Sequence, residues 1–143
     1  MIDTAFYQRC IETLETALAA YNEMPSTKIE YEVYRSACVK EFELIMEQSG
    51  KLLRKVLNPY LHSAAAVNRL PFKDLFRQAA LRGLITEGEC ERWLTYRDNR
   101  NTTAHDNGVD FAVQTMELLP QFIIDAEHLK EIFDGKVSED ATA

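Results

Sequence analysis

Residues 27–59, TKIEYEVYRSACVKEFELIMEQSGKLLRKVLNP, predict the longest helix of the chain and the way it packs. Its apolar and small residues recur at intervals close to 3.5 residues, at Tyr31, Tyr34, Cys38, Phe42, Ile45, Ser49, Leu52 and Val56. A stripe with this spacing is typical of helices that cross at about 20° in an antiparallel bundle. Thr27–Glu30 predicts a capping box at the start of the helix. Asn58-Pro59 ends it, because the residue before a proline avoids helical backbone angles.

The rest of the chain also predicts helices. Their predicted positions are Thr4–Glu23, Pro71–Arg82, a helix that opens with a capping box at Thr86–Glu89, and one along residues 111–133. Gly83 is the expected C-terminal residue of the third helix, Pro120 a kink in the last one, and residues 59–70 a connection of uncertain structure. No stretch alternates apolar and polar residues as a half-buried strand does. We therefore expect an all-α, up-and-down antiparallel bundle of four long helices plus a short one.

Length and composition point to one small intracellular domain. The 143 residues fit a single domain at 1–134, followed by a disordered acidic tail at 135–143. No apolar run is long enough to span a membrane, and no secretory signal is visible at the N-terminus. The three cysteines, Cys10, Cys38 and Cys90, are widely spaced, which argues against a disulfide framework or a zinc site. We expect a cytoplasmic protein with buried, reduced thiols, no cofactor and no metal.

Charge is distributed unevenly along the chain. The net charge is −7, but residues 35–105 carry a net +4 between two acidic segments. The overall acidity argues against tight, nonspecific binding to duplex DNA, which needs a broad basic face. A local basic site in the middle of the chain remains compatible with these numbers.

The densest polar run, residues 96–105 (YRDNRNTTAH), lies where an amphipathic helix should still cover the core. Such a violation of the local pattern is typical of functional sites. Arg100 offers a fork of donors for phosphate, His105 can exchange protons near neutral pH, and Asn101 could orient either partner. Together they could cleave RNA through attack of the ribose 2′-hydroxyl. The alternative is that the arginines are surface ions and His105 is simply a residue at a helix C-terminus.

Other candidate residues carry less chemistry. Glu43 is either exposed or paired with Arg97 or Arg100, if their helices are neighbours. His62 and His128 have no second ligand at metal-binding spacing, and Cys90 lies on an apolar stripe as a core residue does.

Several segments together carry a family resemblance. They are Tyr34–Ala37, Phe42–Leu44, Lys51, Phe72–Ala79, Gly83–Ile85, Trp93-Leu94 and Arg97–His105. In order and spacing, over about residues 10–133, they resemble the nucleotidyltransferase substrate-binding protein family of the HEPN superfamily. The most specific piece is the R-N-x-x-x-H segment at Arg100, Asn101 and His105.

The resemblance implies a homodimeric HEPN bundle that pairs with a minimal nucleotidyltransferase and binds nucleotide or acceptor substrate. Alternatively, it implies a metal-independent ribonuclease toxin held in check by that partner, with Arg100 and His105 catalytic and Asn101 supporting them. Arg97, Glu43 and Tyr96 are the expected substrate-binding residues, and RNA or a nucleotide the expected ligand. A structural helical dimer without a site is the third interpretation.

Overall fold

The computed structural model describes residues 2–102 and 109–135, and within them six α-helices and one short 3-10 turn. The helices are α1 (Ala5–Glu23), α2 (Ile29–Leu57), α3 (Ala64–Asn68), α4 (Phe72–Leu81), α5 (Glu87–Thr102) and α6 (Val109–Phe133). The 3-10 turn is Asn58–Tyr60. No strand occurs in this part of the chain, so the predicted all-α class is confirmed. Apart from Gly135, the predicted tail lies outside the described residues.

The ends of the helices show where the local predictions hold. The box at Thr86 and Glu89 forms as predicted: Thr86 N–H donates to Glu89 Oε1 at 3.0 Å, and Glu89 N–H donates to Thr86 Oγ1 at 3.1 Å. Gly83 has a φ of +77°, and the amides of Gly83 and Leu84 close back onto the last turn of α4. This is the Schellman geometry that favours glycine.

Two predicted helix starts are wrong in detail. Lys28 is the N-cap of α2 and makes no capping hydrogen bond through its side chain, so the box predicted at Thr27–Glu30 does not form. Pro71 is the extended N-cap of α4 rather than its first helical residue. The connection at 59–70 holds the short helix α3, which the sequence did not predict. Its N-cap Ser63 accepts a hydrogen bond from the amide of Ala66 at 3.1 Å.

Hydrogen bonds between α1 and α2 fix their relative direction. The hydroxyls of Tyr7 and Ser49 are 2.7 Å apart, and those of Tyr21 and Tyr31 are 2.5 Å apart. As residue numbers rise along α1 they fall along α2, so the two helices run antiparallel.

The same reasoning orders α5 between α4 and α6. The connecting pairs are Lys73–Asp98 and Phe76–Trp93 on the α4 side, and Glu89–His128, Arg92–Asp125 and Asn99–Thr115 on the α6 side. As residue numbers rise along α5, the numbers of the contacted residues fall along α4 and along α6. Both neighbours therefore run antiparallel to α5, which confirms the predicted up-and-down arrangement.

The core is rich in aromatic rings. Trp93 stacks on Phe76 with ring centroids 4.8 Å apart, and the ring centroids of Phe122 and Phe42 are 4.6 Å apart. Most of the predicted stripe of α2 is buried as expected, from Cys38 to Leu52. Burial raises the pKa of Cys38 to about 11, which keeps this thiol protonated at neutral pH. None of the described helices is long and apolar enough to cross a membrane.

Gly50 lies where α4 crosses α2. A Cβ placed on Gly50 would lie 3.0 Å from two carbons of the Phe72 ring. Glycine weakens a helix by about 1 kcal/mol relative to alanine, but here it lets the ring of Phe72 approach the α2 backbone. That close approach holds Phe72 against α2, and the ring of Phe72 in turn contacts α5.

Candidate functional site

The predicted R-N-x-x-x-H segment begins in the last turns of α5. The backbone of Arg100 and Asn101 lies within the helix, but their side chains lie outside what the structure describes. His105 is one of the residues 103–108, which are also outside the described part. The roles predicted for these three residues stay predictions. What the structure provides is the helix that leads into them.

Arg97 lies one turn before Arg100, on the side of α5 that faces α4. Its guanidinium carbon is 4.8 Å from the centroid of the Phe72 ring. A cation over an aromatic face is attracted by the ring's quadrupole, by about 0.5–1 kcal/mol at an exposed site. Because Phe72 is itself seated against Gly50 of α2, Arg97 has a rigid support beneath it.

Asp98 and Asn99 attach the same turn to the helices on either side. Asp98 pairs with Lys73 of α4. Asn99 Nδ2 donates to Thr115 Oγ1 of α6 at 2.9 Å, and Thr115 is fully buried. Together with Arg97 on Phe72, these contacts hold the last described turns of α5 between α4 and α6. A ligand-binding group placed immediately after them would start from a fixed backbone.

Tyr96 is placed in the interior. It is 2% exposed, and its hydroxyl donates to Asp125 Oδ2 at 2.5 Å. Burial, and then the hydrogen bond to Asp125, raise the pKa of Tyr96 well above its ordinary value. Any contribution of Tyr96 to substrate binding would therefore act through the position of α5.

The acceptor of that bond, Asp125, is the centre of a network that the sequence did not reveal. It is 2% exposed and accepts two parallel bonds from Arg92, at 2.8 Å from Nε and 2.9 Å from Nη2. Gln121 donates to it as well, at 3.3 Å. The hydrogen bonds from this guanidinium to Asp125 raise the pKa of Arg92. The available signal was a lone aspartate within an apolar stripe of α6, between Phe122 and Ala126.

Glu43 does not meet Arg97. Glu43 is half-buried on α2, and in residues 2–102 and 109–135 it forms no ion pair with Arg97. The reason is the arrangement of the helices: α2 packs against α1, α4 and α6, while α5 packs against α4 and α6. The pairing that the sequence left open with Arg97 is therefore absent, and a substrate-binding role of Glu43 stays a prediction.

Metal-binding chemistry finds no support in the described residues, since no group of three or more His, Cys, Asp or Glu side chains there could hold an ion. Burial also raises the pKa of Cys90, which disfavours its thiolate form.

Comparison with known proteins identifies relatives along most of the chain. A model of the family described as nucleotidyltransferase substrate binding protein like matches residues 3–134. A Haemophilus influenzae protein named probable ribonuclease HepT is 26% identical over 131 residues, covering 92% of this chain and 88% of that protein. A solved Haemophilus influenzae structure, described as the fold of a substrate binding domain of a nucleotidyltransferase, superimposes with a TM-score of 0.78 at 23% identity. This match covers 92% of this chain and 99% of the other.

Proposed function

The chain belongs to the nucleotidyltransferase substrate binding protein like family, and from that premise we propose that it is the substrate-binding subunit of a minimal nucleotidyltransferase. The observation that carries the proposal is the extent of the family match. It takes in all six of the described helices, from Ala5 to Phe133, so the likeness concerns the whole bundle rather than one motif. The subunit is a homodimer in this proposal, and it binds the nucleotide or the acceptor substrate for its partner.

The supported turn of α5, which contains Arg97, and the residues after it supply the ligand contacts in this proposal. Arg97 and Arg100 lie three residues apart, which places them on neighbouring positions of one helix face. A guanidinium matches the geometry of a phosphate with two parallel hydrogen bonds. The support of Arg97 by Phe72 favours this role, because a side chain that is already ordered loses less entropy on binding.

Co-expression with a minimal nucleotidyltransferase tests the proposal. We expect the two proteins to elute together from a sizing column, and this chain alone to sediment at twice its 16.4 kDa mass. Separate elution of two folded proteins would contradict the pairing, and a monomer at micromolar concentration would contradict the dimer.

Nucleotide binding to the complex then tests the site. We expect Arg97→Ala to weaken binding about tenfold or more, as the loss of a charge-assisted hydrogen bond does. Arg97→Lys should restore only part of the affinity, because lysine lacks the planar fork. Arg9→Ala, an exposed change on α1, is the matched control and should bind like the wild type.

A second candidate function is a metal-independent ribonuclease. The likeness to the probable ribonuclease HepT over 92% of the chain favours it. In this case His105 acts as general base or acid toward the ribose 2′-hydroxyl and the leaving oxygen. Arg100 stabilises the charge that develops on the phosphate, and Asn101 orients one of them.

Cleavage of total RNA in the presence of a chelator separates the two functions. If the chain is a ribonuclease, the wild type alone cleaves, and both Arg100→Ala and His105→Ala abolish cleavage while the circular dichroism stays helical. Arg9→Ala should cleave normally. Cleavage that survives both site changes would exclude this site, and no cleavage by the folded wild type would leave the binding function alone.

A further inference from the structure

One stretch of this acidic chain contains no acidic residue at all. Residues 48–73 hold five Lys or Arg side chains and no Asp or Glu, although the whole chain has a net charge of −7. In the structure they form the last turns of α2, the 3-10 turn, α3 and the start of α4. The 3-10 turn and α3 both pack on α2. The concentration of positive charge in sequence is therefore also a concentration in space.

Lys73 pairs with Asp98 of α5, whereas Arg82, at the end of α4, lies over the ring of Tyr60. We therefore define the basic end by Lys51, Arg54, Lys55, Tyr60, Arg69 and Arg82. Arg54 has a structural role, because its Nη1 donates to the carbonyl of Val67 at 2.8 Å and ties α3 to α2. Arg54 and Lys55 line one shallow hollow together with Asn58 and Asn68. The side chains of Lys51, Lys55 and Arg69 are exposed. Arg82 is exposed as well, so the basic end offers four solvent-facing cations.

Tyr60 adds an aromatic surface to these cations. It is 51% exposed, and the guanidinium carbon of Arg82 lies 5.1 Å from the centroid of its ring. A tyrosine usually packs its ring against the core, but about half of Tyr60 faces solvent. An exposed ring on a surface that also carries several cations is the combination that binds single-stranded nucleic acids, where bases stack on aromatic side chains and phosphates meet Lys and Arg.

The partial negative charges at helix C-termini offer a competing explanation for the cations. These partial charges are too small to account for all five. Arg54 and Lys55 are in the last turn of α2, and Arg69 and Arg82 are the C-caps of α3 and α4. Each helix C-terminus is equivalent to about half a negative charge, so three of them offset roughly one and a half positive charges. The basic end carries five. Within residues 2–102 and 109–135, none of these five side chains forms an ion pair with an acidic residue.

We propose that the basic end binds single-stranded nucleic acid, with phosphates on Lys51, Lys55 and Arg69 and a base stacked on Tyr60. This deepens the proposed substrate-binding function, on which it rests, because it names a polynucleotide strand as the acceptor class. None of its residues belongs to the Arg100–His105 segment. A duplex fits less well, since its bases are already stacked and are not available to the ring.

Salt dependence of binding tests the phosphate contacts. Fluorescence anisotropy with a labelled RNA or DNA strand of about 12 nucleotides, within the usual site sizes, should give a slope of log affinity against log salt near −2 for three contacts. The double variant Lys51→Ala/Lys55→Ala should reduce that slope to about −0.7. The matched control Arg9→Ala/Lys28→Ala removes the same charge from exposed positions in the acidic first segment and should leave the slope unchanged.

Substitution of Tyr60 tests the stacking. We expect Tyr60→Ala to lower affinity by roughly five- to 150-fold, the range for one base on an aromatic ring, and Tyr60→Phe to bind like the wild type. Equal losses in the Ala and Phe variants, or the same affinity for a duplex of the same length, would overturn the stacking mode. Equal affinity for RNA and DNA supports the shared chemistry, and preference for RNA supports it with added 2′-hydroxyl contacts.

Three further outcomes decide between this inference, the proposed function and an acidic protein partner. If the chain forms its complex with the nucleotidyltransferase but binds neither strand at micromolar concentration and low salt, the inference is overturned and the proposed function stands. If poly-glutamate competes as well as an oligonucleotide of equal charge, the basic end is a site for an acidic protein, and the inference is again overturned. Strand binding by a chain that forms no such complex would support the surface and contradict the acceptor role.

Discussion

The two halves of α5 are held in different ways. In its first half, up to Tyr96, the helix is joined to α6 through the buried Asp125 network and the pair of Glu89 with His128. In its second half, the contacts between described residues include an arginine over a ring, an exposed ion pair and an amide–hydroxyl bond. The first half is built for stability. The second half leads into the segment that carries the predicted chemistry, and in it Arg97 and Asn99 are half-buried and Asp98 is exposed.

Among the variants that test this comparison, Asp125→Ala should have the largest effect on stability. The change leaves the Tyr96 hydroxyl buried without its acceptor and removes both bonds from Arg92. Losing one partner of a buried ion pair costs about 3–5 kcal/mol, and the 40% exposure of Arg92 lowers that figure. We expect the free energy of unfolding to fall by about 2–4 kcal/mol in urea titrations. A loss below about 1 kcal/mol would contradict the structural role of the first half.

Alkaline pH should weaken the same network. The pKa of Tyr96 is raised in the folded chain, so above pH 10, roughly the ordinary tyrosine pKa, the unfolded chain releases a proton that the folded chain keeps. Stability therefore falls as pH rises past about 10, by up to about 1.4 kcal/mol per pH unit for each such group.

Thermal unfolding between pH 9 and 11.5 measures this slope. Tyr96→Phe should make it shallower without abolishing it, because burial also raises the pKa of Tyr7. An unchanged slope in Tyr96→Phe would show that this hydroxyl is not the group that titrates.

Asn99→Ala should have a smaller effect on stability and a distinct effect on function. It leaves the buried Thr115 hydroxyl without its donor, at a cost of about 1 kcal/mol. Ligand binding or cleavage should fall more than this loss of stability explains, because the last turns of α5 lose their link to α6. Full activity in a variant destabilised as expected would show that the second half needs no such link.

The smallest expected effect is that of Asp98→Ala. Asp98 is 62% exposed, and exposed ion pairs contribute about 0–1 kcal/mol. We expect the free energy of unfolding to change by less than about 1 kcal/mol in the same urea titrations. A loss as large as that in Asp125→Ala would remove the difference between the two halves.

Local sequence patterns predicted most of the fold but few of the contacts that hold α5 in place. The stripe of α2 and the capping box at Thr86 were predictable because each depends on residues within one or two helical turns. The helix α3 was not, since five residues with one buried side chain, Val67, give no periodic signal. The partners Arg92 and Asp125 are 33 residues apart, and no local pattern around either residue predicts that they pair.

The site itself was predictable only as a segment. The sequence singled out residues 96–105 because polar side chains interrupt an apolar face, and the structure places the first of them between α4 and α6. It also separates their roles: Tyr96 is buried on Asp125, while Arg97 lies over Phe72. Sequence could not distinguish those neighbours, because the difference arises from which helix each one faces.

The contact of α1 with the end of α6 brings distant parts of the chain together. The Thr4 hydroxyl donates to Asp134 Oδ1 at 2.7 Å, and Tyr7 lies edge-on to Phe133 with centroids 5.5 Å apart. Closing a loop of this length costs an entropy of about 4 kcal/mol, which a covalent link would remove. A circular permutant that joins residue 2 to residue 135 by a short linker, with new ends opened at the exposed Pro25–Lys28 turn, should therefore keep the same bundle.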